Sequence, residues 1–163
     1  MRKIKYYTAP LLIVSVLFIG LYSCSKKCKI DAESVDSGAI RTDVLVFPVH
    51  GYITEDMSGD YHVNGNSYVA DKFDMSTNGG QTKTPFNYSA YSILAYPMTV
   101  SCSFSLLRDV TFDDVNMVVT YKITVTECKD PKCTQERYVE NFIAVPAIPS
   151  GYSIVRVIEE IKI

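Results

Sequence analysis

The residues best equipped for chemistry in this chain are its five cysteines: Cys24, Cys28, Cys102, Cys128 and Cys133. A cysteine can be half of a disulfide, a metal ligand or a nucleophile, and its surroundings decide which. Cys128 and Cys133 stand in "CKDPKC", where Asp130-Pro131 supplies turn chemistry between two strand-like runs. A bridge between them would staple a hairpin, and over so short a loop it would be worth roughly 2 kcal/mol. Zinc would need further ligands close by, and the sequence offers no second CxxC-type pair and no histidine cluster. The two histidines are His50 and His62; His62 alternates with Tyr61 and Val63 beside Asn64-Gly65, which reads as an exposed position on a hairpin. Neither a GxSxG elbow nor an HExxH helix is present. Two groups of acids, Asp56, Asp60, Asp71 and Asp74, and Asp109, Asp113 and Asp114, could line oxygen-rich loops for Ca²⁺, which takes roughly six to eight oxygen ligands. Their spacing is not that of an EF-hand, and turn formation and solubility account for them without an ion.

The N-terminus sets the compartment in which these groups would act. Arg2, Lys3 and Lys5 precede an apolar block, Leu11 to Tyr22, that is broken only by Ser15 and Gly20. As a helix this block rises about 18 Å, short of the roughly 30 Å hydrocarbon core, so a signal-peptide core fits better than a spanning helix. The block ends Leu21-Tyr22-Ser23-Cys24. These residues resemble the lipobox of a bacterial, Bacteroidota-like lipoprotein signal, with Leu three positions before the cysteine and a small residue just before it. The resemblance implies lipid attachment at Cys24, removal of residues 1–23 and acylation of the new amine. Several acyl chains, at about 0.8 kcal/mol per buried CH₂, give lasting attachment where one would be marginal. Ser25 resembles the residue found there in lipoproteins sent to the outer membrane. Lys26 and Lys27 stand where some surface-exported relatives of that class carry acids. With Cys24 so assigned, the other four cysteines allow three pairings. The hairpin staple would leave Cys28 to bridge Cys102 and pin the tether to the core, in a compartment that favours disulfides.

The remaining 140 residues suffice for one domain with a core. They carry 13 basic and 18 acidic residues, a net charge of −5, and no Lys/Arg cluster follows Lys29, so a nucleic-acid footprint is absent. Residues 24–42 read as a lipidated, polar tether and 43–163 as a single domain.

The elements are strands. Val, Ile, Thr, Ser and Tyr dominate, and Ala is scarce. Asp43–Pro48 is the first strand candidate. "YHVNGNSYVA" reads as a hairpin with a type I′ turn at Asn64-Gly65, and Ser76–Pro85 as a loop. Val100, Cys102, Phe104 and Leu106 alternate with polar residues, and Met117, Val119, Tyr121, Ile123 and Val125 point one way while Val118, Thr120, Lys122 and Thr124 point the other. "YSIVRVIEEIKI" fits a helix face or a strand, and its β-branched content favours the strand. Short strands separated by turn signals suggest an antiparallel β-sandwich, immunoglobulin-like or a related Greek key. Tyr61, Tyr68, Tyr88, Tyr91 and Tyr96 could serve a contact surface, or sit half-buried on the sheet.

These features point to a membrane-anchored envelope lipoprotein that acts as a non-catalytic interaction or structural module, meets a protein or glycan partner and uses no cofactor. The alternatives are a Ca²⁺- or glycan-binding lipoprotein and a small hydrolase with a dispersed site.

Overall fold

Runs of β-branched and aromatic residues cut by Gly, Asn, Asp and Pro leave little for a helix to use. The computed structural model describes residues 30, 34–49, 62–101, 103–128 and 136–163, and it is all-β. In chain order the strands are β1 (Val35–Gly38), β2 (Leu45–Pro48), β3 (His62–Val63), β4 (Phe73–Ser76), β5 (Thr84–Pro85), β6 (Tyr91–Ala95), β7 (Met98–Val100), β8 (Phe104–Asp113), β9 (Val118–Glu127), β10 (Arg137–Val139), β11 (Phe142–Pro146) and β12 (Ser153–Lys162). A 3₁₀ turn at Ala70–Lys72 precedes β4. Residues 1–23, read above as a signal peptide, and Cys24, Cys28, Cys102, Cys133 and His50 lie outside the described residues.

The centre is the β8–β9 hairpin, antiparallel from Phe104 opposite Glu127 to Asp113 opposite Val118. Its alternation is the one expected: Val119, Tyr121, Ile123 and Val125 are buried while Lys122 is exposed. Asp113 ties the turn. Its carboxylate accepts the Asn116 side-chain amide at 2.7 Å and the backbone amides of Asn116 and Val115 at 2.9 and 3.1 Å. The same donors hold the Asp113 carboxyl below its ordinary range.

The chain enters β9 through Met117, which departs from the expected inward alternation. It is half exposed, with a left-handed φ of 53°. A Cβ in that conformation costs about 1 kcal/mol or more, and Asn tolerates it better than most side chains. Met117→Asn is therefore expected to stabilise the domain by about 0.5–1 kcal/mol, read as a rise of a few degrees in Tm.

Parallel strands flank the hairpin. β1 runs along β8 from Val35 opposite Leu107 to Gly38 opposite Val110, and β12 runs along β9 from Ser153 opposite Val118 to Lys162 opposite Glu127. The resulting sheet has the order β1-β8-β9-β12. Two expectations are corrected here. The segment read as tether contains β1, because Asp36 within it pairs with Arg108 of β8. The arrangement is also mixed, not antiparallel throughout. Long crossovers, such as the one through β10 and β11, return strands in the same direction. The ambiguous last segment is strand β12.

A second sheet, β11-β6-β3, is buried on both faces. Ile93, Ala95 and Ala144 face one core with Phe73, Met75 and Phe86, beneath the small sheet β2-β4-β5. Leu94, Ile143 and Val145 face the other core with Val110, Tyr121 and Ile123. The middle sheet thus separates two cores. Its strands read as continuous apolar runs, "ILA" and "IAV", because neither face meets water. Ser92, buried in this sheet, accepts the Ile148 amide at 3.0 Å.

The Asn64-Gly65 hairpin does not form. β3 pairs with β6, His62 opposite Leu94, and neither Asn64 nor Gly65 has a positive φ. Asn64 Oδ1 accepts the Asn66 amide at 2.9 Å and Ser67 Oγ accepts the Asn64 amide at 3.0 Å, a side-chain-built turn that leads into the 3₁₀ turn. Val63, 1% exposed, gains more by burial against β6 than a two-residue hairpin could offer.

Candidate functional site

The residues singled out by chemistry fall in separate places. Cys128 is buried just after β9. Its amide donates to the Ser103 carbonyl at 3.1 Å, and the Ile30 amide donates to Ser103 Oγ at 3.2 Å. Ser103 therefore brings the chain just after Cys28 beside the chain just after Cys102. His62 is half-buried in β3, which corrects its reading as an exposed hairpin residue.

The acids serve local structure. Asp109 accepts the Ser37 hydroxyl at 2.7 Å, Asp114 accepts the Tyr152 hydroxyl at 2.9 Å, and Asp71 pairs with Lys72 at 3.1 Å. Asp56 and Asp60 lie outside the described residues, and among those described no group of three or more His, Cys, Asp or Glu is arranged to hold a metal ion. Tyr88 gives its hydroxyl to the Ala70 carbonyl at 3.0 Å, and burial pushes that hydroxyl's pKa up. Tyr91 packs on Phe86, Tyr68 is exposed, and Tyr61 lies outside the described residues.

Two features escaped the sequence reading. One is a polar network beneath the middle sheet. Arg108 has inward parity on β8, between Leu106 and Val110. Its Nε and Nη2 grip both oxygens of Asp36 at 2.6 and 2.9 Å, and its Nη1 reaches Asn141 Oδ1 at 2.9 Å. Tyr121 Oη donates to the same Asn141 oxygen at 3.3 Å, and burial pushes that hydroxyl's pKa up. Asn141 Nδ2 is buried with no hydrogen-bond partner among the described residues. Asp36 and Arg108 border a cleft of about 220 Å³ with Arg41 and Phe142. A basic residue breaking the apolar parity of β8 was the available signal.

The other feature is the β12 edge. Among the described residues β12 pairs only with β9, and its outer edge is open. Ile158 has the same facing as its register partner Ile123, yet Ile158 is 38% exposed and Ile123 is 0%. Ile154, near the start of β12, still packs against the core beneath the middle sheet, and from Val155 onward the strand is exposed. On the opposite face Val155, Val157 and Ile161 are exposed as well. Between β12 and β7 lies a groove of about 480 Å³ floored by Met98, Val100, Val125 and Ile158 and rimmed by Glu127 and Glu160. Glu127 is held by the Ser101 amide at 2.9 Å, and Arg156 lies over the Tyr96 ring at 5.9 Å.

The polarity of the edge follows from the ladder. The amides of Ser153 and Ile163 donate inward, to the carbonyls of Met117 and Glu127. Odd-numbered residues thus bond β9, and the N–H and C=O of even-numbered residues point outward. An apolar floor, a charged rim and an open row of backbone groups make a surface for recognition of an extended chain. No protein-family model matches this chain, and no curated protein and no solved structure is significantly similar to it.

Proposed function

We propose that the chain is a lipid-anchored protein of the bacterial cell envelope, held at the outer membrane through Cys24, whose all-β domain is a non-catalytic interaction module. The observation that carries the second half is β12, an edge strand with apolar side chains exposed on both faces beside a groove. Proteins ordinarily blunt such edges with short strands, bulges, covers or charged side chains, because an open edge templates pairing with another chain; β12 carries Arg156, Glu159, Glu160 and Lys162, yet keeps Val155, Val157, Ile158 and Ile161 exposed. An edge that no other strand among the described residues pairs over its ten residues suits a protein whose task is to be paired. The anchor rests on the resemblance at Leu21-Tyr22-Ser23-Cys24. The bridges Cys128–Cys133 and Cys28–Cys102 belong to the same reading; Ser103 meets both Ile30 and Cys128, so the segments of Cys28, Cys102 and Cys128 converge there. The facing of the mixed sheet on the middle sheet supports a sandwich of immunoglobulin-like or Greek-key type for that half.

Intact mass of the membrane-extracted protein tests the anchor. The expected species lacks residues 1–23, carries acyl chains, and has its remaining four cysteines oxidised. A chain that begins at Met1 or carries no fatty acid overturns the anchor. Turnover by the purified protein that one Ser, His or Asp substitution abolishes overturns the non-catalytic module.

A further inference from the structure

We infer that the occupant of the open β12 edge is β12 of a second copy of this chain, paired antiparallel about a twofold axis at Ile158, so that two four-stranded sheets become one. The inference rests on the interaction reading above and adds the identity of the partner. A twofold perpendicular to the sheet keeps each strand's faces and sets residues of like parity opposite one another. The even-numbered residues, whose backbone groups point outward, then form the hydrogen-bonded pairs.

The register follows from charge. Centring on Ile158 sets Arg156 opposite the second copy's Glu160, twice by symmetry, with Ile158 against Ile158, Val155 against Ile161, Val157 against Glu159 and Ile154 against Lys162; Glu160 then exchanges its 3.5 Å contact with Lys162 of its own strand for Arg156. Cross-strand pairs of opposite charge and of β-branched residues are the stabilising kinds. Centring on Val157 sets Arg156 against Ile158 and Glu160 against Ile154, charge against apolar surface. Centring on Glu159 sets the two Glu159 residues face to face and Arg156 against Lys162. Centring on Arg156 or Glu160 sets like charges on the axis. Of these registers, only the one at Ile158 joins opposite charges, and it also sets the exposed Val155 against Ile161 and Ile158 against its own copy.

The test is oxidative crosslinking of the full chain in its membrane. In this register two Ile158 Cα atoms lie about 5.5 Å apart, within reach of a disulfide, while two Val157 Cα atoms lie about 8 Å apart, out of reach. Ile158→Cys is therefore expected to form a covalent dimer and Val157→Cys is not. In the Ile158→Cys background, Arg156→Glu or Glu160→Arg alone sets like charges together and is expected to lower dimer yield about tenfold. The two reversals combined restore it. Equal yields from Ile158→Cys and Val157→Cys, or failure of the combined reversal to restore dimer, overturn the inference. A photo-crosslinker at Val157 separates the two levels of the argument. Adducts with a different protein overturn the second copy as occupant and leave the interaction module standing. An edge that crosslinks to nothing overturns both.

Discussion

Arg108→Ala is expected to destabilise the domain by about 3–4 kcal/mol, a large share of the roughly 5–15 kcal/mol that holds a domain of this size together. The side chains of Arg108 and Asp36 are 18% and 21% exposed, so their attraction is only partly screened by water. The pairing is bidentate, the geometry in which a guanidinium and a carboxylate are matched. Truncation leaves Asp36 charged and half-buried without its partner. It also removes the donor that satisfies Asn141 Oδ1, in a residue whose Nδ2 is already unpartnered among the described residues. The larger part of the loss comes from these stranded groups and not from the pair itself. Two controls follow. Arg108→Lys keeps the charge but not the fork and falls between wild type and alanine. Asp36→Ala combined with Arg108→Ala costs less than the sum of the two, because no unpaired charge remains. Urea unfolding measures all three. A loss below about 1 kcal/mol for Arg108→Ala would place the pair among ordinary surface ion pairs and remove the network from the account of the fold.

The strand class was readable where one face of a strand meets water. In β9, Val119, Tyr121, Ile123 and Val125 alternate with polar residues, and the structure follows that pattern. β6 and β11 are buried on both sides, so their continuous apolar runs carried no facing information and the middle sheet could not be inferred. Asn64-Gly65 has the residue types of a tight turn, but local chemistry cannot say whether a neighbouring strand will outbid the hairpin, and β6 does. β1 was hidden because its four residues, Val35-Asp36-Ser37-Gly38, are mostly polar; Asp36 earns its place in the sheet through Arg108, 72 positions away. β12 was legible as a strand from its β-branched residues. Its status as an open edge was not, since edge or centre depends on which strands arrive beside it. The cysteines are the reverse case: residue type and spacing suggested their roles directly, and the described residues add two contacts at Ser103, from Ile30 and from Cys128, that draw three of their segments together.

The second large effect is expected at Gly38, and it tests whether β1 is integral to the main sheet. Gly38 has φ +68°, and a Cβ built there would overlap the carbonyl oxygen of Val110, its register partner in β8. Val110 is 0% exposed at the centre of the sheet, so that carbonyl cannot step aside without disturbing the core. Gly38→Ala therefore meets two penalties, a left-handed backbone with a side chain and a backbone clash, and is expected to cost about 2–4 kcal/mol. Gly79→Ala separates them. Its φ is +70°, but a Cβ there meets nothing within 4 Å, so it carries the conformational cost alone, about 1 kcal/mol. The excess at Gly38 is the clash. Its signature is local: β1 lifts from β8, the bond from the Ala39 amide to the Val110 carbonyl at 2.8 Å opens, and amide exchange accelerates at Asp36–Ala39 before the hairpin β8–β9 responds. Asp36 leaves with the strand, so Arg108→Ala added to Gly38→Ala costs less than it does alone. Equal losses at Gly38 and Gly79, with no change in exchange along β1, would mean that this strand rests loosely against the sheet and that the Asp36–Arg108 pair contributes little to holding it there.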